Sequence, residues 1–316
     1  MKTLDIISSA FNEEICLPEF FSRITQVMSK ESNYSYRILI VDNGSTDSSW
    51  PIITKSASKD SRILGFRMSK NFSLDAAFTH GLDKATADIV VIMTSDLQDS
   101  PEAIPQLLRM YEQGFDHVVV KVTSRETVPF FRRVLTKIFY RVANKLTSGM
   151  LPESVSDFRL LNKPTYSALR QLRESHRFIR GLAAWVGFKT AVIELPRETR
   201  FAGSSKWLGV SIFQVITHSI RSIFAFSSKP LIWVSFVGII LSAASVILIF
   251  ALSFFWIFSG VPFPGFGSLM AIIFLGFAIT MFCIGILAQY LGLIYEEVKG
   301  RPLYIIAETT NREDLN

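Results

Sequence analysis

The sequence predicts an α/β domain built on a mainly parallel sheet, followed by two helices that cross a membrane. Three observations carry that expectation. Short runs rich in β-branched residues alternate with helical patterns through the first half of the 316-residue chain. Two of those runs end in acidic turns, at Asp42-Asn43-Gly44-Ser45 and Asp96-Leu97-Gln98-Asp99. From Pro230 to Tyr295 there is no Asp, Glu, Lys, Arg or His. Repeated strand–helix units imply a sheet covered by helices, and ligands in such sheets bind beyond the carboxyl ends of the strands.

Residues 4–8 are a short apolar run behind an early acid, Asp5, which marks a first strand rather than a signal peptide. Residues 37–41, 63–67, 89–93 and 117–122 supply four more strand signals. Helical patterns fall between them at 13–29, 48–58, 74–85 and 101–113. Residues 130–146 read as a basic amphipathic helix, 154–161 as a loop and strand, 162–173 as a helix and 188–195 as a further strand. In residues 210–226, Phe213, Ile216, Ile220, Ile223 and Phe224 form one stripe with Gln214, His218 and Arg221 off it. That pattern suits a helix lying in a membrane interface; a core helix of the soluble domain is the other reading.

The uncharged stretch divides at residues 259–265, Ser-Gly-Val-Pro-Phe-Pro-Gly. Its halves, 231–258 and 267–290, each exceed the ~20 residues that span hydrocarbon. Lys229 precedes the first, Lys299 and Arg301 follow the second, and the connecting loop has no charge. The positive-inside rule places both ends and the α/β half in the cytoplasm. The expected organisation is a soluble domain over 1–208, an interfacial helix and linker over 209–229, two spans within 230–295, and a tail over 296–316. Residues 301–308 have strand character and pair either with a neighbouring subunit or with their own domain.

The formal net charge is +6. One basic cluster comprises Arg125, Arg132, Arg133, Lys137, Arg141 and Lys145; another comprises Arg197, Arg200, Lys206, Arg221 and Lys229. Such clusters beside a bilayer attract anionic headgroups, at about 1 kcal/mol per residue, or bind substrate phosphates. No nucleic-acid-binding module is recognisable, so nucleic acid is not an expected partner. The two cysteines, Cys16 and Cys283, lie in different parts of the chain, and no disulfide is expected.

The turn Asp42-Asn43-Gly44-Ser45-Thr46-Asp47 follows a buried run and exposes a carboxylate at the sheet edge. Such a carboxylate accepts hydrogen bonds from a nucleobase imide or a ribose hydroxyl. The plainer reading is a turn in which Asp47 caps the next helix. In Asp96-Leu97-Gln98-Asp99, a carboxylate and an amide oxygen on one side of an extended segment suit a divalent ion. That ion would face the charge developing on a departing diphosphate. Asp99 either joins that site or caps the helix opening at Pro101.

The motifs continue in order. Ser9-Ala10-Phe11-Asn12-Glu13-Glu14, Val41 to Asp47, and Asp96-Leu97-Gln98-Asp99-Ser100-Pro101-Glu102 precede Ser156-Asp157-Phe158-Arg159-Leu160 and Phe178-Ile179-Arg180-Gly181. Arg200-Phe201-Ala202-Gly203-Ser204-Ser205-Lys206, the two apolar stretches and Gly300-Arg301-Pro302-Leu303-Tyr304 complete the series. This order resembles the inverting glycosyltransferases of family 2, with a GT-A fold. Within them it resembles the polyprenyl-phosphate glycosyltransferases over essentially the whole chain. The nearest subgroup is the bactoprenol glucosyltransferases of O-antigen modification. Dolichyl-phosphate mannose synthases and undecaprenyl-phosphate aminoarabinose transferases are cousins.

The resemblance implies transfer of a hexose, glucose from UDP-glucose, to undecaprenyl phosphate at the bacterial inner membrane, with Mg2+ or Mn2+. The product would serve O-antigen or cell-envelope glycan modification. Nucleotide sugar, undecaprenyl phosphate and membrane lipids are the implied partners, with a homo-oligomer, a tetramer, as the implied assembly. Carried over residue by residue, Ser9, Phe11, Glu13, Asp42, Asn71 and Asp96 are nucleotide-binding candidates. Asp96 and Gln98 are metal ligands. Lys121, Arg125, Arg132, Arg200, Ser205 and Lys206 are phosphate-binding candidates, with Ser205-Lys206 on a loop that closes over the donor. Asp157 and Asp96 are the catalytic candidates. A phosphate monoester is already ionised near neutral pH (second pKa ~6), so Asp157 is either a general base or a positioning group.

The chain also departs from the family. Thr94-Ser95 precedes Asp96 where the family carries a further acid, which predicts weaker metal binding. Ser9, Phe11, Asn43 and Val122 stand where Pro, Tyr, Asp and Arg are usual. Another donor sugar (galactose, mannose or an amino sugar) is the alternative within the enzyme class. A non-catalytic membrane partner binding nucleotide or lipid phosphate is the alternative outside it. No Gln-x-x-Arg-Trp motif is present, which argues against a processive polysaccharide synthase.

Overall fold

The computed structural model of the chain describes residues 1–123, 155–175, 177–196, 201, 229–259 and 266–311. It divides into two units. Among its described residues the first carries eight strands: β1 (Lys2–Ala10), β2 (Tyr34–Asp42), β3 (Ile63–Met68), β4 (Ile89–Thr94), β5 (His117–Val122), β6 (Val155–Asn162), β7 (Thr190–Leu195) and β8 (Ile306–Thr309). They form one sheet in the order β7-β5-β6-β4-β1-β2-β3-β8. The pairs β1–β2, β1–β4, β2–β3 and β5–β7 are parallel; β4–β6, β5–β6 and β3–β8 are antiparallel. The expected mainly parallel sheet is therefore present.

Among the described residues of this unit there are six helices: α1 (Cys16–Met28), α2 (Ser49–Lys59), α3 (Leu74–Lys84), α4 (Ile104–Glu112), α5 (Lys163–Gln171) and α6 (Ile179–Trp185). The five strand runs expected up to residue 122 lie inside observed strands or coincide with them, whereas those expected over 154–161, 188–195 and 301–308 begin at Val155, Thr190 and Ile306. The observed strands are longer where polar or aromatic ends join the ladder, as Tyr34 and Tyr36 do in β2 while staying buried. The expected helix over 101–113 is split into a 3-10 turn, Pro101–Ala103, and α4. Pro101 and Pro105 lack a donor N–H and are tolerated in a first turn, where the N–H has no partner within the helix. Helix α6 is only 7 residues long, too short for its periodicity to stand out.

Ile6 and Ile7 of β1 are both wholly buried although they point to opposite faces, because helices cover both sides of the sheet. On one side Phe20, Ile24, Leu107 and Leu108 pack with Ile38, Val91 and Phe158. On the other, α3 lies directly on β1. A Cβ on Gly81 would stand 2.2 Å from Ile7 Cγ2, so only glycine permits that approach.

The tail strand β8 pairs with its own domain. Arg67 stands opposite Glu308, and the Ser69 and Thr310 N–H groups donate to the Ile305 and Gly65 carbonyls at 2.9 Å each. Tyr304 Oη donates to Asp83 Oδ2 at 2.7 Å, and its ring packs edge-on to His80.

Among its described residues the second unit holds two long helices, α7 (Lys229–Ser259) and α8 (Phe266–Val298). Among the described residues one segment, Ile272–Val298, is long and apolar enough to cross a membrane; Lys229–Leu241 is a shorter apolar segment. Phe274, Phe282 and Leu291 are each about two-thirds exposed or more. The basic helix expected over 130–146 and the interfacial helix expected over 210–226 lie outside the described residues.

Candidate functional site

Parallel pairing brings the carboxyl ends of β1, β2, β3 and β4 to one edge. Ala10 lies opposite Asp42, Asp42 opposite Arg67, and Ser9 opposite Thr94. Strand β6 runs antiparallel to β4, with Ile92 opposite Arg159, so its first residues reach the same edge. Helix α3 starts there as well. Motifs spread from Ser9 to Arg180 thus converge on one rim.

At the end of β2, Gly44 adopts φ +73°, and a Cβ there would stand 2.7 Å from the Lys70 carbonyl carbon. Glycine is required on both counts. The expectation of an exposed Asp42 carboxylate is not met: Asp42 is 0% exposed. Its Oδ1 accepts from the Ser45 N–H at 3.0 Å and from the Ser45 hydroxyl. Its Oδ2 faces Arg67 Nε at 3.4 Å. Burial raises the Asp42 pKa, opposed by the Ser45 hydrogen bonds and the Arg67 charge. The carboxylate points inward because Ser45, in its own turn, satisfies Oδ1 and the charge of Arg67 on β3 faces Oδ2.

The first motif is laced to this turn. Asn12, at φ 53°, accepts the Thr46 N–H through Oδ1 at 2.9 Å, and its own N–H donates to Ser45 Oγ at 2.9 Å. The Glu13 N–H donates to Ser49 Oγ at 2.8 Å, and Glu13 itself is buried. Asp47 Oδ1 accepts the Ser49 N–H at 3.0 Å, but Ser48 holds the N-cap position of α2 and no side chain caps it there, so the Asp47 N-cap of the plainer reading is not found. Asn43 Oδ1 accepts the Phe72 N–H at 3.0 Å, tying the turn to the loop after β3. Asn71 is exposed on that loop, Phe11 is half-buried, and buried Ser9 offers its carbonyl to the Ser95 hydroxyl at 2.9 Å.

At the end of β4, Asp96 Oδ1 accepts from Thr94 Oγ1 at 2.7 Å and from the Gln98 N–H at 3.2 Å. Leu97 is buried at φ 60°, a strained conformation for a branched residue. Thr94, standing where the family carries an acid, uses its hydroxyl to orient Asp96. Among the described residues Asp96 Oδ2 and the Gln98 side chain make no hydrogen bond, and no group of three His, Cys, Asp or Glu surrounds a common point. One carboxylate oxygen and one amide oxygen fit a hard divalent cation whose other ligands are water and phosphate.

Asp99 does not cap the helix; Ser100 holds that position. The Asp99 carboxylate instead accepts the Ser156 hydroxyl, at 2.8 and 3.0 Å, and so ties the metal-type turn to β6. A pocket of about 220 Å³ opens beside it, lined by Gln98, Asp99, Glu102, Gln106, Val122 and Phe158 among others.

Asp157 faces Arg180 on α6. Arg180 Nε donates to Oδ1 at 2.6 Å and Nη2 to Oδ2 at 2.5 Å. Beside them Arg159 is almost completely buried, donating to the Ser156 and Asp157 carbonyls at 2.9 and 3.1 Å. Burial lowers its pKa to about 10, with Asp157, Asp75 and Asp99 favouring the cation. Asp75, at the start of α3, accepts the Ile179 N–H at 2.9 Å. Burial pushes its carboxyl up to about 6, opposed by that hydrogen bond and by Arg180 and Arg159, while the Asp157 charge adds to the rise.

Sequence reasoning gave no role to Arg67, Asp75, Arg159, Arg180 or Glu308. Arg159 carried a visible signal, a cation inside the apolar strand Val-Ser-Asp-Phe-Arg-Leu-Leu-Asn, and Arg180 lay in the motif Phe178-Ile179-Arg180-Gly181; the others carried none. Lys121 donates to Glu194 on β7 at 2.7 Å, so a phosphate there competes with that carboxylate. Arg125, Arg132, Arg200, Ser205 and Lys206 lie outside the described residues.

Residues 5–170 match the model of the glycosyl transferase family 2. The chain is 34% identical to the "uncharacterized glycosyltransferase sll0501" of Synechocystis sp., over 99% of this chain and 97% of that protein. It is 32% identical to the "uncharacterized glycosyltransferase YkcC" of Bacillus subtilis, over 98% and 94%. It is also 32% identical to the bactoprenol glucosyl transferase of Shigella phage SfII, over 97% and 98%.

Proposed function

Because this chain belongs to glycosyl transferase family 2, we propose that it transfers a glucosyl group from UDP-glucose to undecaprenyl phosphate. The observation that carries this reading is the end-to-end match to the phage bactoprenol glucosyl transferase, which takes in the sheet-edge motifs and the apolar helices alike. The chain is a transferase; the donor sugar and the acceptor lipid are the proposal. Two spans, within 230–295, would anchor it in the bacterial inner membrane with the sheet domain and both ends cytoplasmic. The product would feed envelope glycan modification, and the working assembly would be a homo-oligomer.

In this mechanism an oxygen of the lipid phosphate attacks C1 of the glucosyl group. The C1–O bond to UDP breaks on the opposite face, so the anomeric configuration inverts. The interlaced turns around Gly44 and Asn12 would seat the nucleoside, with Ser9, Phe11, Glu13 and Asn71 around it and Asp42 holding the turn from within. Asp96 Oδ2 and the Gln98 amide oxygen would hold Mg2+ or Mn2+, which supplies positive charge at the diphosphate. Thr94 keeps Asp96 oriented. Arg180, clasped by Asp157, stands at the same rim and suits a phosphate or a sugar hydroxyl. Lys121, Arg125, Arg132, Arg200, Ser205 and Lys206 are the remaining phosphate-binding candidates. The protein's contribution is orientation and preorganised charge rather than proton removal, since the acceptor phosphate is already ionised.

The test is the full chain in detergent with undecaprenyl phosphate, Mg2+ or Mn2+, and a panel of labelled nucleotide sugars. Label from UDP-glucose in the lipid fraction is the expected result. Label from another donor alone replaces the sugar assignment, and lipid-linked label from none of them overturns the reading.

A further inference from the structure

We propose that Glu308, on the strand that follows the long apolar segment, is a positioning residue for the nucleotide site and acts through Arg67 on Asp42. The inference rests on the reading that the Asp42 turn receives the donor nucleotide. Arg67 is the hub. Its Nη1 donates to Glu308 Oε1 at 2.8 Å, its Nη2 donates to the Ser45 carbonyl at 3.3 Å, and its Nε stands 3.4 Å from Asp42 Oδ2. Glu308 is itself fixed, because Trp50 Nε1 donates to its Oε2 at 3.0 Å.

Asp42 Oδ2 is buried and makes no hydrogen bond among the described residues. The Arg67 charge is what offsets that buried oxygen, and an uncompensated buried charge is costly. Arg67 is about one-third exposed, so without Glu308 its guanidinium can turn toward water. Asp42 then loses its counter-ion, and the turn it organises through Ser45 loosens. Glu308 touches no substrate in this scheme; it keeps the donor turn in its binding shape.

Coupling of this kind is reciprocal. If docking of β8 favours the nucleotide-ready turn, nucleotide favours the docked strand. The Ser69 and Thr310 N–H groups, which donate across the β3–β8 junction, report that docking directly.

Glu308→Gln keeps the side-chain shape and an acceptor for Trp50 but removes the charge. The full chain in detergent is titrated with UDP and with GDP, and donor KM and kcat are measured alongside. The variant is expected to bind its nucleotide about threefold to tenfold more weakly, raise donor KM equally, and keep kcat within about twofold. In the unaltered chain, nucleotide should slow amide exchange at Ser69 and Thr310, and the variant should lose that effect. Unchanged nucleotide affinity, or a fall in kcat with donor KM unmoved, overturns the proposal. If the variant does not fold, exchange in the unaltered chain decides, and no slowing at those two amides overturns it. Binding of neither nucleotide by the unaltered chain removes the functional reading as well; equal binding by both chains removes this inference alone.

Discussion

Asp157→Asn removes a charge while leaving the shape of the side chain, and so distinguishes a proton acceptor from a clasp. In the structure both Asp157 oxygens accept from Arg180, with side-chain exposures of 13% for the acid and 33% for the base. A hydrogen bond to a charged group contributes about 1.5–3 kcal/mol net, and a fully exposed pair about 0.2–1 kcal/mol. A partly buried two-point clasp falls between these, at about 2 kcal/mol, or roughly 30-fold in kcat/KM if Arg180 must be held for the reaction. Loss of a general base costs about 10²- to 10⁴-fold. The expected result is a loss of about 30-fold with the pH–rate profile kept, because acceptor ionisation near pH ~6 governs both chains. Arg180→Gln should cost about the same, and the double variant little more, since both changes break one unit. The assay is initial-rate transfer to undecaprenyl phosphate between pH 5.5 and 8.5. A loss beyond about 10³-fold, with Asp157→Asn and Arg180→Gln additive, would refute the clasp and make Asp157 the base.

Gly44→Ala should destabilise the chain by about 2–5 kcal/mol, from ~1–2 for the left-handed conformation and ~1–3 for the clash with Lys70; an unchanged melting temperature would contradict the geometry. Thr94→Asp sets a second carboxylate beside Asp96 and should tighten Mn2+ several-fold in a direct titration. No gain would mean that this turn is not the metal site. Asp75 has its folded pKa raised from 3.8 to about 6, so the folded state binds this proton more tightly than the unfolded one. Its ionisation therefore costs nothing below about pH 4, costs progressively more up to about pH 6, and costs up to roughly 2–3 kcal/mol above that. Asp75→Asn should raise the melting temperature at pH 7.5 and lose that advantage by pH 4; an equal difference at both pH values would rule out the assigned titration.

Much of the architecture was legible because it rests on local pattern. The run Ile-Val-Val-Ile-Met of β4 and the alternation of strand and helix signals need only neighbouring residues to be read. The uncharged stretch from Pro230 to Tyr295 announces apolar surface whatever the fold around it. The site was legible in outline for the same reason: the turns at Asp42 and Asp96 each sit where a strand stops.

The chemistry inside those turns was not legible. The acid in Asp-Asn-Gly-Ser reads as exposed, yet Asp42 is turned inward because Ser45 and Arg67 hold it. Asp99 reads as a metal-site acid or a helix cap but serves Ser156, 57 residues later. Asp157 meets Arg180 only because α6 returns to the rim of β6.

The residue order alone was enough to establish an α/β sheet with ligand-bearing strand ends and a long apolar stretch. Periodicity and the absence of charge are properties of short windows. The tertiary structure alone decided which side chains complete the site. Arg67 and Glu308 are 241 residues apart and meet because strand register sets them face to face, a relation no window of sequence contains.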